Sequence, residues 1–223
     1  MSDSKDVIEH VLHNLHIHKI FLNGVESVFR EEPSFKTVPP VVHSIKTRIK
    51  ERAHIEDKVA RKRLDGIDVT PESVFDTITD IVGIRIIHLH LAQFPLIHNC
   101  IERQVKDGDW VLFEKPKAYT WDPESQSFFE NLGLAVQIKD SFYTSIHYVV
   151  KPRKDSIATC EIQVRTLFEE IWGEIDHAIN YPHPTTNISC REQILVLARL
   201  VGAGSRLADS IFRTHEETAR KVF

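Results

Sequence analysis

The run CEIQVRT, residues 160–166, puts Cys160, Ile162 and Val164 on one side of an extended chain and Glu161, Gln163 and Arg165 on the other, since strand side chains alternate between faces. An amphipathic strand needs only polar side chains on its wet face. It does not need an acid, an amide and a guanidinium in succession. That face is therefore either ordinary solvated surface or the lining of a site.

Working outward, Ser145–Val150 reads as a strand with Ser145 and His147 on one face and Ile146, Tyr148 and Val150 on the other. Pro152-Arg153-Lys154-Asp155 turns it into an antiparallel partner of the strand Ala158–Val164. Leu134–Ile138 and the short Trp110–Phe113 are further strand candidates. The β-branched run Ile81–Leu91 reads as a buried strand followed by a helix over Pro95–Val105. Lys115–Asn131 is polar and aromatic without clear period and reads as a long loop.

Val7, Val11 and Leu15 at helical spacing predict a helix over Asp3–Phe29, with Asn23-Gly24 as a place for a break or kink. Prolines make Glu31–Pro40 a connector. A second, strongly basic helix is predicted over Val41–Leu64, closed by Asp65-Gly66, and Thr70-Pro71-Glu72 opens a helical turn. Helices over Leu167–Asn180 and Cys190–Glu217, separated by Tyr181–Pro184, complete the chain. The expected fold class is α+β (mixed α/β), a mixed sheet of about five strands with flanking helices. The expected organisation is a helical extension over 1–40, a central domain over 41–182, and a C-terminal helix over 183–223 that packs on the domain or on a partner subunit. A homo-oligomer is left open.

With 223 residues, the chain is long enough for a real core. Its net charge of -4 provides no global basic field for nucleic acid, although a local patch at Lys151–Lys154 or in the basic run remains available. Cys100, Cys160 and Cys190 are odd in number and far apart, which speaks against a disulfide framework and for a reducing compartment. MSDSKDVIEHVLHNL lacks the layout of a signal peptide, and no apolar run approaches the roughly 18 residues of a membrane span. The expectation is a soluble, cytoplasmic protein with no membrane partner.

Three constellations can carry chemistry. Asp80 stands just before one strand and Glu161 on another, and two such acids can hold a hard cation completed by substrate phosphates; alternatively Asp80 caps a turn and Glu161 is solvated. The run SIKTRIKERAHIEDKVARKR sets Lys46 four residues from Lys50 and Arg48 four from Arg52, a comb of cations that suits a polyphosphate or merely a wet helix face. FYTSIHYVV places Tyr143 beside Ser145 and His147, either to stack and hydrogen-bond a base or as a polar edge strand. The 13 histidines form no zinc signature, and neither a G-x-S-x-G nor a phosphate-cradling glycine loop occurs.

The order SIKTRIK…K, DIVGIR, YTSIH, EIQVRT, W…DHAINY resembles the RelA/SpoT alarmone synthetase domain over Ser44–Tyr181, and the flanking helices fit its small single-domain members. The resemblance implies a nucleotidyltransferase-like synthetase fold and a Mg2+-dependent pyrophosphokinase. Such an enzyme moves the β,γ-pyrophosphate of ATP to the ribose 3′-hydroxyl of an acceptor nucleotide, with GDP or GTP as first choice and (p)ppGpp as product. It implies Arg48 and Arg85 around adenine, Lys50 and Lys58 on the ATP phosphates, and Asp80 on the metal. Glu161 would assist the metal or activate the hydroxyl. Tyr143 would stack on the acceptor base, with Lys139 and His147 reaching the acceptor or its phosphates and Gln163 and Arg165 bracing that side.

Three departures fall on the acceptor side. Ile138-Lys139 and Phe142-Tyr143 stand where guanosine-specific members carry Pro-Lys and Gly-Tyr; Glu170 replaces an expected asparagine; and Lys115–Asn131 looks like an insertion. They leave tRNA 3′ ends or adenosine nucleotides, the substrates of toxic relatives, as alternative acceptors. An inactive nucleotide-binding module is the remaining alternative. The hydrolase half of the family, marked by a His-Asp dipeptide, is not represented; Asp176-His177 has the reverse order.

Overall fold

Isoleucine and valine at alternating positions of VGIRIIH, SIHYVVK and CEIQVRT build the centre of a seven-stranded mixed sheet. A computed structural model describes residues 2–139, 141–181 and 183–221. Pro182 of the expected Tyr181–Pro184 separator and the last two positions of the expected C-terminal segment lie outside the described residues. The strands are β1 (Ser44–Ile49), β2 (Val82–His88), β3 (Val111–Leu112), β4 (Lys117–Thr120), β5 (Ala135–Ile138), β6 (Ser145–Lys151) and β7 (Cys160–Thr166). Their order is β1-β2-β7-β6-β4-β5, with β3 pairing β6. β2 and β7 run parallel, β6 and β7 form the expected antiparallel pair, and β1 joins β2 antiparallel.

Two expectations are corrected. The basic segment predicted as one helix from Val41 is the edge strand β1 followed by helix α2 (Arg52–Leu64). The alternation Ile45-Lys46-Thr47-Arg48-Ile49 fits a period of two, and pairing with β2 outweighs the helical propensity of lysine and arginine. Lys46 and Lys50, like Arg48 and Arg52, are therefore not helical neighbours. The segment predicted as a loop over 115–131 holds β4 and helix α5 (Pro123–Asn131). Asp122 caps α5 by accepting from Ser125 N, and Pro123 occupies its first turn. These two added strands account for a sheet of seven where about five were expected.

Helix α1 (Ser2–Glu31) passes through Asn23-Gly24 without interruption. Its residues Val7, Val11, Val25 and Phe29 are buried in one core cluster with Ile84, Ile86, Tyr148, Ile162 and Val164 of the central strands. The short helix α3 (Val74–Thr77) adds Val74 and Phe75 to the same cluster, helix α4 (Phe94–Lys106) adds Phe94, Ile97 and Ile101, and α5 adds Phe129. Each such side chain contributes about 1.5–3 kcal/mol when taken from water. Cys160, Ile162 and Val164 thus face the core, as their alternation demands.

Helix α6 (Leu167–Asn180) leaves β7 at Thr166 without a connecting loop. Thr166 and Glu169 form a reciprocal cap in which each side chain accepts from the other's backbone N–H. Together with α7 (Ile188–Lys221), α6 forms a second apolar cluster of Trp172, Ile194, Ala198 and Val201, against which Phe142, Tyr143 and Phe168 pack. None of the helices among the described residues is long and apolar enough to cross a membrane.

Candidate active site

Sheet register lines up the polar side chains in rungs. One rung runs Arg48, Gly83, Glu161, and the next runs Lys46, Arg85, Gln163, His147, Lys117. Residues on neighbouring strands at one level sit about 5 Å apart, so each rung sets its side chains within reach of one another, with Gly83 leaving a gap between Arg48 and Glu161. Lys46, Arg48, Asp80, Gly83, Arg85, Glu161 and Gln163 line a cleft of about 620 Å³ that opens to solvent. On the face of CEIQVRT opposite the core, Glu161 and Gln163 line this cleft, while Arg165 is buried beyond them.

At one end, Asp80 Oδ2 accepts from Lys50 Nζ at 2.7 Å and Lys58 Nζ at 2.9 Å. Burial alone would raise the Asp80 pKa, but the two ammonium groups overcome that and hold it down at about 2. Burial in turn pushes the Lys50 pKa down, partly offset by Asp80. Asp80 Oδ1 is buried and has no hydrogen-bond partner among the described residues. A charged oxygen left open in this way suits a cation.

Glu161 occupies the middle. Its Oε1 lies 3.1 Å from His147 Nδ1, and its Oε2 accepts from Gln163 Nε2 at 2.7 Å. Burial and the nearby Asp80 charge push its pKa up, while His147 and Gln163 outweigh them and lower it. Glu161 is therefore a fixed carboxylate at neutral pH. Among the described residues no three His, Cys, Asp or Glu side chains gather into a protein cage for a metal. Two carboxylates, one with a free buried oxygen, instead match a hard divalent ion whose remaining ligands are water and substrate phosphates.

A third group joins the cleft to the α6–α7 layer. Tyr143 Oη lies 2.9 Å from His147 Nε2 and accepts from Arg165 at 3.3 Å, while Arg165 also donates to Gln163 Oε1 at 2.5 Å. Lys139 Nζ sits 4.7 Å above the Tyr119 ring, whose centroid is 4.9 Å from that of His147. Sequence reasoning missed the hub that connects the two ends. Buried Glu170 meets Lys46 at 2.7 Å, Arg85 at 3.3 Å and Arg165 at 3.3 Å, and Glu174 also pairs with Arg85. The acid that stands in place of the expected asparagine is thus compensated by three cations. A Cβ at Gly173 would meet Arg165 Nη1 at 2.7 Å, so glycine one turn beyond Glu170 gives that guanidinium its room.

The residues expected at a site are thus brought together: Arg48, Asp80, Arg85, Glu161 and Gln163 in one cleft, Lys50 and Lys58 on Asp80, and Tyr143, His147 and Arg165 in one hydrogen-bonded group. Lys139 stands at the margin, on Tyr119. In the Lys151–Lys154 turn, buried Lys151 pairs with Asp76 and exposed Arg153 pairs with Asp155.

A mixed sheet whose wet face pairs two carboxylates with clustered cations defines an α+β domain of the phosphate-handling kind. The chain belongs to the RelA/SpoT family: residues 47–186 match the region found in RelA / SpoT proteins. It is 26% identical over 190 residues to the GTP pyrophosphokinase YwaC of Bacillus subtilis (strain 168), covering 81% of this chain and 80% of that protein. GTP pyrophosphokinase YjbM of the same organism is 26% identical over 198 residues, covering 86% and 79%. The fold is shared with a GTP pyrophosphokinase family protein from Streptococcus pneumoniae, at TM-score 0.65, 20% identity and coverage of 96% and 94%. It is shared also with the small alarmone synthetase 1 from Bacillus subtilis bound to its product pppGpp, at TM-score 0.57, 22% identity and coverage of 90% of each chain.

Proposed function

We propose that the protein is an ATP-dependent pyrophosphokinase that transfers the β,γ-pyrophosphate of ATP to the ribose 3′-hydroxyl of GDP or GTP, forming (p)ppGpp. The observation that carries this reading is the presence of Asp80 and Glu161 in one cation-lined cleft, in a chain whose curated relatives are GTP pyrophosphokinases.

Asp80, through its open Oδ1, and Glu161 would hold Mg2+, which supplies charge neutralisation along the phosphate chain when bound. Lys50 and Lys58 keep Asp80 ionised and add positive charge beside the phosphates. Arg48 and Arg85 offer planar guanidinium faces to adenine. The N–H edge of Arg85 is held by Glu170 and Glu174, which leaves its face available for stacking. Tyr143 stacks on the acceptor base, while His147, Lys139, Gln163 and Arg165 orient the acceptor side. The 3′-oxygen bonds to the β-phosphorus as the bond from that phosphorus to the α,β-bridging oxygen breaks. AMP leaves, and the hydroxyl proton passes to Glu161. Such transfer depends mainly on positioning and charge, which fits a site built of ions without a nucleophilic side chain.

Incubation with γ-labelled ATP and GDP, GTP, ATP or deacylated tRNA, with and without Mg2+, tests the reading. Label is expected in a guanosine product and only with the cation. Label in tRNA or adenosine nucleotide alone replaces the acceptor, and no label on any acceptor leaves a nucleotide-binding module without activity.

A further inference from the structure

Resting on that reading, we propose that helix α7 is part of the acceptor site, with Phe142 and Arg199 as positioning residues that hold Tyr143 in place before the acceptor arrives. Phe142 has φ of 61°, the left-handed conformation that glycine takes freely and a phenylalanine rarely takes. Among the described residues it is the one non-glycine with positive φ. A conformation of this kind persists only where the surroundings impose it.

The surroundings are specific. The Phe142 ring meets Trp121 edge-on at 4.7 Å, and the Arg199 guanidinium of α7 covers it at 5.4 Å. Trp121 is itself fixed against α7, where a Cβ on Gly202 would lie 3.2 Å from its ring, and the adjacent Asp122 accepts from Arg206 at 2.8 Å. Arg199 is exposed and makes no hydrogen bond or ion pair among the described residues, so its contact with Phe142 is the interaction it offers.

The next residue in the chain is Tyr143. Its hydroxyl is tied to His147 and Arg165, and its ring lies 6.4 Å from Trp172 in the α6–α7 cluster. The platform is therefore pinned at both ends, by polar bonds at the hydroxyl and by Phe142 at the backbone. Pinning before binding removes the ordering cost that a free loop incurs when it meets its ligand. The bulky residue thus does by packing what a glycine at the same position leaves to the ligand.

The test compares Phe142→Ala, Phe142→Tyr and Arg199→Ala by steady-state kinetics and by amide hydrogen exchange over 141–144. Phe142→Ala is expected to raise the acceptor KM about tenfold and Arg199→Ala about threefold, with the ATP KM within about twofold of the parent. Phe142→Tyr keeps the ring and is expected to stay near the parent. Loop amides should exchange faster in both alanine variants. A parent loop that already exchanges as fast as the variants overturns the proposal, as does an ATP KM that rises in step with the acceptor KM. Arg199 is exposed, so its variant tests the idea without risk to folding. Absence of transfer in the parent counts against the pyrophosphokinase reading, whereas the exchange experiment tests the clamp without turnover.

Discussion

The two ends of the cleft are held by different forces. The Asp80 end is ionic and local to the sheet: Lys50 follows β1, Lys58 rises from α2, and both converge on one carboxylate oxygen. The Tyr143 end is aromatic and borrowed from the second cluster, where Phe142, Tyr143 and Trp172 meet α7. Charge fixed in low dielectric preorganises a site for phosphate, while packed rings preorganise a surface for a base. On the proposed assignment, variation at the aromatic end changes the acceptor while the ionic end keeps its donor. Glu161 lies between the two and is bonded toward the aromatic side by His147.

Breaking the middle should have the largest effect. Glu161→Gln is expected to lower the transfer rate by about 10²- to 10⁴-fold while leaving affinity for a non-hydrolysable ATP analogue nearly unchanged. Single-turnover kinetics beside calorimetry checks this, and near-normal turnover removes Glu161 from proton transfer. The ionic end comes next. Asp80→Asn leaves Lys50 and Lys58 without their shared partner and should cost about 3 kcal/mol in chemical denaturation, reduced from a fully buried pair because Asp80 is partly exposed. It should also raise the Mg2+ concentration that transfer requires.

The same carboxylate sets an acid limit. Its folded pKa of about 2 lies below the ordinary 3.8, so its stabilisation is fully present above pH 4 and is lost as pH falls through 2. Urea unfolding between pH 5 and pH 2 should show a loss of about 2 kcal/mol from this group, and the loss should vanish in Asp80→Asn. A smaller and more even effect is expected at the hub. Glu170→Gln keeps its shape but removes the charge shared by Lys46, Arg85 and Arg165, so the KM for ATP and for acceptor should both rise about threefold. A rise confined to one substrate would show that Glu170 serves one end alone.

Legibility in the sequence follows the same division. Alternating strands, as in CEIQVRT and FYTSIHYVV, announced both their core face and their polar face, with Glu161 standing out on the first, and Asp80 stood out just ahead of β2. The closing helix Leu167–Asn180 was legible to the residue because apolar spacing and the Thr166–Glu169 cap agree there. β1 was not legible, since a lysine- and arginine-rich run reads as helix until a neighbouring strand supplies hydrogen bonds. β4 and α5 lacked a long apolar period, and their order comes from the Asp122 cap and from packing around Phe129. Glu170 was visible as an acid, but its three cations arrive from β1, β2 and β7, which no local pattern brings together.

The misread basic run offers the finest test of the ionic end. On a single helix, Arg48 and Arg52 would share a face and contribute alike. In the fold they part company: Arg48 lines the cleft from β1 without an ion pair among the described residues, whereas Arg52 begins α2 and donates to Glu9 of α1 at 2.8 Å and to Glu56 at 2.9 Å. Exposed pairs of this kind contribute little. Arg52→Ala is therefore expected to leave transfer kinetics unchanged and the melting temperature within about 2 °C of the parent. Arg48→Ala should raise the ATP KM about tenfold, because a free guanidinium facing the cleft has no role in folding to lose. Equal losses in ATP affinity from the two substitutions would restore the helical comb and remove β1 from the donor site.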